Sequence, residues 1–437
     1  MSDTICAIAT PPGKGGVGIV RISGSDIGEL AKRLIGTLPE PRLATRTTVA
    51  DAHGQAIDHG LALYFPAPRS FTGEHVLELQ LHGSPVALEM VVRAAVAAGA
   101  RRAGPGEFSQ RAFVNDKLDL TQAEAIADLI AASSEQAARA ATRSLEGRFS
   151  EAVQALAESI IGLRVYVEAA LDFPDEDIDF LVDGDVAGRL ENIAQQAGGL
   201  LEQARRGRLL NDGLRVAIVG KPNAGKSSLF NALVKRDAAI VTEIPGTTRD
   251  VVRETIHLAG VPITLADTAG LRDSGDPVEV EGVRRAHAEL NAADLVLWVV
   301  DVTDPEPAQA PAAAVAMLRV NNKIDRIGRN AGRGAETIEL SALTGQGLQF
   351  LDQAVAEKLG LQESADGEFS ARQRHIEQIE NCSRHLADAI AALAQTGSGE
   401  LAAEDLHLAA NALGEITGRM HSDELLGKIF SSFCIGK

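Results

Sequence analysis

Aromatic residues make up only 3% of this 437-residue chain, with two tyrosines (Tyr64, Tyr166) and a single tryptophan, Trp298. So few rings leave few platforms on which single-stranded bases could stack. Positive charge is also scarce: 42 Lys and Arg stand against 60 Asp and Glu, for a net charge of -18. Lys and Arg supply most of the affinity for a phosphate backbone. Any RNA substrate therefore needs a partner protein or a local basic patch to hold it. Cysteine is limited to Cys6, Cys382 and Cys434. An odd number, far apart in sequence, suits a reducing cytoplasm better than a disulfide scaffold, so the expected location is cytoplasmic. No apolar run approaches the roughly 18 residues that a membrane span needs. The start, MSDTICAIATPPG, has neither a basic n-region nor an apolar h-region, so no secretory signal is expected.

What is present is ordinary for a soluble globular protein: 45% hydrophobic and 23% charged residues. The length predicts about three domains, and the texture changes along the chain accordingly. Short, part-alternating apolar runs such as Val17–Ile22 and Val76–Leu81 read as strands, and Leu88–Ala98 as a helix. Residues 1–118 thus form an α+β domain. From Leu120 the composition turns to Ala, Glu, Gln and Arg, with Ile126, Leu129 and Ile130 at helical spacing. Helix continues to Pro174, where an acidic stretch (172–177) interrupts it, and then resumes towards Gln203. Near Gly213 strand-like runs (214–219, 262–266, 295–300) begin to alternate with helical segments, the pattern of a doubly wound α/β domain. Beyond about Phe369 the chain is helical again, with Ile376, Ile379, Leu386, Ile390 and Leu393 in register. The expected fold class is multidomain. An α+β N-terminal domain (1–118) precedes an all-α helical domain in two halves (119–211 and 361–437). An α/β domain (212–360) is inserted between the halves.

Gly220-Lys221-Pro222-Asn223-Ala224-Gly225-Lys226-Ser227 fits G-x-x-x-x-G-K-[ST], with a strand before it and a helix from Ser228 after it. Backbone N–H groups at a helix N-terminus cradle phosphate. Lys226 is placed to reach the β- and γ-phosphates, and Ser227 to ligate Mg²⁺. Further motifs follow in order. Thr248, in Gly246-Thr247-Thr248-Arg249-Asp250, completes the Mg²⁺ shell. Asp267 ends an apolar strand and holds Mg²⁺ through water. Thr268-Ala269-Gly270 brings the Gly270 N–H to the γ-phosphate. In Asn322-Lys323-Ile324-Asp325 the aspartate accepts from guanine N1–H and the exocyclic amine, a match adenine lacks. Ser341-Ala342-Leu343 adds a backbone contact to the base. The set points to GTP rather than ATP, and to an enzyme that hydrolyses it.

One residue is out of place. Leu271 follows Asp267-Thr268-Ala269-Gly270, where Ras-type proteins put a water-orienting glutamine. Leucine neither donates nor accepts a hydrogen bond. One replacement is a monovalent cation held by the Asn223 amide oxygen and by oxygens of Thr242-Glu243-Ile244-Pro245-Gly246-Thr247. It would neutralise transition-state charge. The plain alternative for Asn223 is a loop amide that ties down backbone. A second replacement is a carboxylate, Glu279 or Glu281, against the alternative of a solvated acidic helix. Arg249 and Arg272 are further candidates for charge stabilisation, although surface ion pairing is the better account of them.

Taken together, GKPNAGKSS, TEIPGTTRD, DTAGL, NKID and SAL resemble the MnmE (TrmE) family of tRNA-modification GTPases. So do TPPGKGGVGIVRISG, SFTGEHVLELQLHG, RRAGPGEFSQRAFVNDKLDLTQAEAIADLI, YVEAALDFPDEDIDF and the terminal FSSFCIGK. The likeness spans essentially the whole chain, and the terminal segments are more specific than the GTPase motifs. The resemblance implies a homodimer joined through an N-terminal domain that binds a reduced folate (5-formyl- or methylene-tetrahydrofolate). It implies an FAD-dependent partner of the MnmG (GidA) type, with which a (carboxymethyl)aminomethyl group is installed at C5 of the tRNA wobble uridine. Nucleotide contacts then run through Asn223, Ala224, Gly225, Lys226, Ser227 and Ser228, and through Thr242, Glu243, Ile244, Pro245, Gly246, Thr247 and Thr248. K⁺ falls to Asn223, Thr242, Ile244 and Thr247. The water-orienting glutamate is Glu279 rather than Glu281, acting with Lys226 and Gly270. Folate contacts fall to Arg21, Glu78, Lys117 and Lys437, with Cys434 close by. One departure is the Ala/Pro-rich stretch between Asp301 and Asn322, shorter than the family pattern.

Three apparent motifs carry nothing. Gly13-Lys14-Gly15-Gly16-Val17-Gly18 matches G-x-G-x-x-G but leads into a strand, not the helix that a dinucleotide site requires. Cys434-Ile435-Gly436-Lys437 has the outline of a prenylation signal with the wrong last residues. His53, His59, His75 and His82 lack paired spacing for a metal and read as satisfied surface or turn histidines. Two other functions fit the GTPase motifs. One is a switch for ribosome or complex assembly without group transfer, disfavoured by the net charge. The other is a folate-dependent aminomethyl-transfer module fused to a regulatory G domain.

Overall fold

The computed structural model describes residues 3–172, 185–238, 253–258, 261–267, 293–305, 310, 315–358, 369–418, 423–431 and 433–436. Its architecture is an α+β N-terminal domain, an all-α helical domain and an α/β P-loop domain inserted in the helical sequence. The described chain divides into two compact units. One holds residues 1–127, 144–193 and 384–437; the other holds 128–143 and 194–383.

The N-terminal sheet has β1 (Ile5–Ile8), β2 (Gly15–Gly24), β3 (Thr45–Ala50), β4 (Ala56–Phe65), β5 (His75–Gly83) and β6 (Arg101–Arg102), in the order β3-β4-β5-β2-β1-β6. Alternation places Val20 and Ile22 of β2, and Leu77, Leu79 and Leu81 of β5, in the core. Helix α1 (Gly28–Ile35) adds Leu30, Ala31 and Leu34 to that core and stops at Gly36, whose φ of 81° is easy only for glycine. Helix α2 (Pro85–Ala97) starts cleanly: Pro85 sits in its first turn and the Ser84 side chain accepts from the Ala87 N–H. Helix α3 (Glu107–Val114) follows, its buried Phe108 packing with Ile5, Ala7 and Ala103.

Helices α4 (Leu120–Ala131), α5 (Glu135–Leu145), α6 (Arg148–Asp172) and α7 (Val186–Asp212) come next. In α6 the buried residues are Phe149, Val153, Leu156, Ile160, Leu163 and Val167, a 4-3-4-3-4 spacing that keeps one stripe inward. Each buried side chain of this kind contributes about 1.5–3 kcal/mol before chain entropy is counted. The face of α4 departs from the sequence expectation. Ile130 is 49% exposed, and Ile126 and Leu129 are half-buried; Leu120, Ala123, Glu124 and Asp128 are buried instead. Burying Asp128 is made tolerable by Arg372, whose guanidinium donates to Asp128 Oδ1 at 2.6 Å, and by Ser370 Oγ at 3.1 Å.

The α/β sheet contains β7 (Leu214–Val219), β8 (Arg253–Leu258), β9 (Val261–Asp267), β10 (Leu295–Asp301), β11 (Ala316–Asn322), β12 (Gly332–Arg333) and β13 (Thr337–Glu339). Their order is β12-β13-β11-β10-β7-β9-β8. The five central strands are parallel, and β8 and β12 are antiparallel edges. Helices α8 (Lys226–Ala238) and α9 (Leu348–Lys358) belong to this domain. The chain then closes with α10 (Gln373–Thr396), α11 (Gly399–Thr417) and α12 (Asp423–Ser431). Helix α11 packs along α6 with Ala402, Leu406, Ala409, Leu413 and Ile416 inward, its alanines letting the two axes approach.

Candidate functional site

Parallel strands bring the nucleotide motifs together because β7, β9, β10 and β11 all end on one side of the sheet. There Val219 leads into Gly220, and the strands close at Asp267, Asp301 and Asn322. Ligands of open α/β sheets bind outside such carboxyl ends. The loop after β7 is shaped by two glycines with no room for a side chain. A Cβ on Gly220 (φ 156°) would lie 2.2 Å from the Val299 carbonyl oxygen. One on Gly225 (φ 97°) would lie 2.2 Å from Asn322 Nδ2. Asn223 takes the left-handed conformation at φ 63°, which asparagine tolerates better than most residues. Ala224 is buried and donates its N–H to the Lys221 carbonyl at 3.2 Å.

Lys226 Nζ donates to the carbonyls of Gly220 at 2.8 Å and Lys221 at 3.0 Å. The ammonium is thus folded back onto the loop, and an anionic phosphate is a stronger partner for it than either carbonyl. Ser227 and Ser228, beside it at the start of α8, are exposed. These residues form a cradle of the right chemistry for a nucleotide phosphate with its Mg²⁺. The Asn223 backbone carbonyl accepts from Lys323 Nζ at 2.7 Å. Its side-chain amide makes no hydrogen bond among the described residues.

The base-recognition segment is fastened to this loop. Asn322, 2% exposed, donates from Nδ2 to the Ala224 carbonyl at 3.0 Å and accepts at Oδ1 from the Ala342 N–H at 2.9 Å. One side chain thereby sets the spacing between phosphate loop and base loop. Lys323, at φ 70°, also donates to Asp301 Oδ2 at 2.5 Å. Partial burial alone would raise the Asp301 carboxyl; hydrogen bonds from Lys323 and Thr303, with the Lys323 charge, bring it down to about 2. Asp325 is exposed on the short 3-10 turn Ile324–Ile327. Ser341 is buried, its Oγ accepting from the Thr344 N–H, and Leu343 is 81% exposed beside it. The sequence reading did not single out Asp301. Its signal was an acid ending the apolar run Leu295–Val300.

Several expected residues lie outside the described part. They are Thr242, Glu243, Ile244, Pro245, Gly246, Thr247, Thr248, Arg249, Thr268, Ala269, Gly270, Leu271, Arg272, Glu279 and Glu281. Asp267 is described as the last residue of β9.

In the N-terminal domain Arg21 and Glu78 face each other across β2 and β5, with Arg21 Nε donating to Glu78 Oε1 at 2.9 Å. The guanidinium lies 5.4 Å from the Phe71 ring centroid and 5.7 Å from that of Phe108. It also reaches the Gly436 carbonyl at 3.4 Å, so the C-terminal segment passes beside it. The tail is held by a Pro105–Ile435 bridge and by the Gly106 N–H on the Cys434 carbonyl. Gly436, at φ 98°, passes so close to Ile8 that a Cβ would lie 2.3 Å from its carbonyl oxygen. Cys434 is exposed, whereas burial pushes the Cys6 thiol up to about 11 and the Cys382 thiol up to about 12. Lys117 is set beside Gly73 and lines a cavity of about 450 Å³ with Asp116, Asp119, Gln122, Ser150, Gln154 and Thr417. Arg21, Glu78 and the tail are thus brought together, and Lys117 belongs to that cavity. Lys437 lies outside the described residues. Of the N-terminal histidines, His59 contacts Thr48, His75 contacts Tyr64, and His82 contacts Asp58.

Comparison with known proteins matches residues 4–117 to the family model for the GTP-binding protein TrmE N-terminus, and residues 120–434 to the MnmE helical domain. The tRNA modification GTPase MnmE of Pseudomonas syringae pv. tomato is 53% identical over 452 residues, covering 100% of this chain and 99% of the relative. The tRNA modification GTPase MnmE of Saccharophagus degradans is 52% identical over 451 residues, with the same coverage. A solved GTP-binding protein from Sulfolobus solfataricus in complex with GDP covers 64% of this chain and 79% of its own, at 18% identity and a TM-score of 0.27. On the two domain matches and the full-length identities, the chain belongs to the MnmE (TrmE) family.

Proposed function

We propose that this protein is a GTP hydrolase of tRNA modification. With an FAD-dependent partner of the MnmG type and a reduced folate, it would install a (carboxymethyl)aminomethyl group at C5 of the wobble uridine. The observation that carries the GTPase part is the Asn322 clamp between Ala224 and Ala342, with Lys226 stored on the loop carbonyls. It fits a site that holds guanine and phosphate at a fixed separation. Lys226 leaves the Gly220 and Lys221 carbonyls for the β- and γ-phosphates. Backbone N–H groups from Asn223 to Ser228 complete the cradle. Asp325 reads the guanine edge, while Ser341, Ala342 and Leu343 line the base. Ser227 and Thr248 would hold Mg²⁺, with Asp267 behind a water. Bound there, Mg²⁺ would supply positive charge against that of the nucleotide phosphates.

The side-chain oxygen of Asn223, left unused by the loop, supports its assignment to K⁺ with Thr242, Ile244 and Thr247. A K⁺ ion there would offset the charge that develops in the transition state, while the water-orienting part that Leu271 cannot play falls to Glu279. Glu279 orients the attacking water and the Gly270 N–H faces the γ-phosphate. In the N-terminal domain Arg21, Glu78, Lys117 and Lys437 would bind the folate, which supplies the one-carbon unit. Cys434 is the exposed thiol nearby.

The deciding experiment is GTP hydrolysis by the full chain in K⁺ and in Na⁺ at matched ionic strength. A K⁺-specific acceleration of tenfold or more is expected, with Glu279→Ala slow in both salts. Equal slow rates would leave Leu271 uncompensated and overturn the cation assignment. Folate binding is checked separately by fluorescence titration of 5-formyl-tetrahydrofolate against Arg21→Ala.

A further inference from the structure

The helices that follow the α/β domain carry a group of side chains that nothing above uses. His385 and Asp388 stand on α10 three residues apart, a spacing that sets both on one helix face. Asp405 comes to the same place from α11. One ligand atom from each residue lies within 4.8 Å of the other two. His385 Nδ1 is 3.4 Å from Asp405 Oδ1, long for a charge-assisted hydrogen bond. Their side chains are 23% and 22% exposed, and Asp388 is open to solvent.

Among the described residues neither carboxylate has a Lys or Arg ion-pair partner, and Asp388 makes no hydrogen bond. Two like charges held this close repel each other. The His385 imidazole beside them offers a nitrogen lone pair to a metal. A divalent cation removes the repulsion and takes all three donors. The mixed donor set favours a transition metal over Ca²⁺ or Mg²⁺, which take oxygen almost exclusively. Metal–ligand bonds of about 2.0–2.2 Å require the three atoms to draw closer, and the exposed Asp388 side chain has the freedom to do so.

We propose that His385, Asp388 and Asp405 form a Zn²⁺-class divalent metal site that clips α10 to α11. Three protein ligands leave further coordination positions to water. The site is separate in sequence and chemistry from the phosphate-loop Mg²⁺ and does not depend on the GTPase reading.

The test uses full-length protein, stripped of metal and free of nucleotide, in a Cys434→Ser background that removes the exposed thiol. Zn²⁺ is titrated calorimetrically, and the thermal midpoint is read with and without one equivalent of Zn²⁺. One ion per chain is expected, together with a rise in midpoint. His385→Ala should weaken binding at least tenfold and abolish the rise. Asp388→Asn, a conservative change at an exposed position, keeps the test open if His385→Ala fails to fold, and should also weaken binding. Zn²⁺ binding of unchanged affinity in these variants, or no Zn²⁺-dependent rise in the parent, would overturn the site.

Discussion

Gly225 sets the tolerance of the nucleotide site to a single methyl group. Its φ of 97° is strained for any L side chain, and a Cβ would meet the Asn322 amide that ties the two loops together. Gly225→Ala should therefore cost nucleotide affinity by at least tenfold while the sheet stays folded. Titration with a fluorescent GDP analogue, beside circular dichroism, checks this. Near-parental affinity would mean that Asn322 yields without consequence. Cysteine reactivity is decided at the same scale. Cys6 and Cys382 are buried with thiols raised to about 11 and about 12, and thiolate is the reactive form. A disulfide reagent on native protein should titrate one thiol rapidly, Cys434, and three after denaturation. Cys434→Ser should abolish the fast phase.

Elements show which patterns a sequence discloses. The strand before Gly220 and the helix after it follow from periodicity and glycine placement, so they were legible. Helix α4 was not. Its apolar residues suggested a face through Ile126, Leu129 and Ile130, but the buried face holds Asp128. The reason is Arg372, 244 residues away, which periodicity cannot see. Asp301 was hidden in the same way, since Lys323 arrives from the next strand. The Arg21–Glu78 pair was named through resemblance; the rings of Phe71 and Phe108 flanking it needed the fold. The Asp128 contact also gives a quantitative expectation. Deleting one partner of a fully buried ion pair costs about 3–5 kcal/mol; Arg372 is 25% exposed, so the loss here falls at or below the low end of that range. Asp128→Ala should lower the thermal midpoint markedly. Asp128→Asn, which keeps an acceptor for Ser370 and Arg372, should lower it less. Equal, small losses in both would show that water reaches Arg372.

For the whole molecule, charge is the governing quantity, and its effect depends on where the carboxylates are paired. With a net charge of -18, general self-repulsion opposes the folded state at neutral pH. The N-terminal domain counters this locally. Arg111 donates to Glu74 and Glu107, Arg101 donates to Asp3 and Glu107, and the Gly104 N–H also points at Glu107. Burial would raise the Glu107 carboxyl, but the Arg101 hydrogen bond, the Gly104 N–H and Arg111 together hold it below the usual glutamate range. A carboxyl depressed in the folded state stabilises fully above its unfolded value, about 4.3. That contribution is lost as pH falls through the lower folded value. Glu107→Gln should therefore destabilise the N-terminal transition at pH 7, by roughly 1.5–3 kcal/mol for lost charge-assisted hydrogen bonds. The gap between parent and variant should close progressively below about pH 4. Scanning calorimetry of both proteins from pH 7 to 3.5 reads this directly. A gap that stayed constant with pH would mean that shape rather than charge at position 107 holds α3 against the sheet.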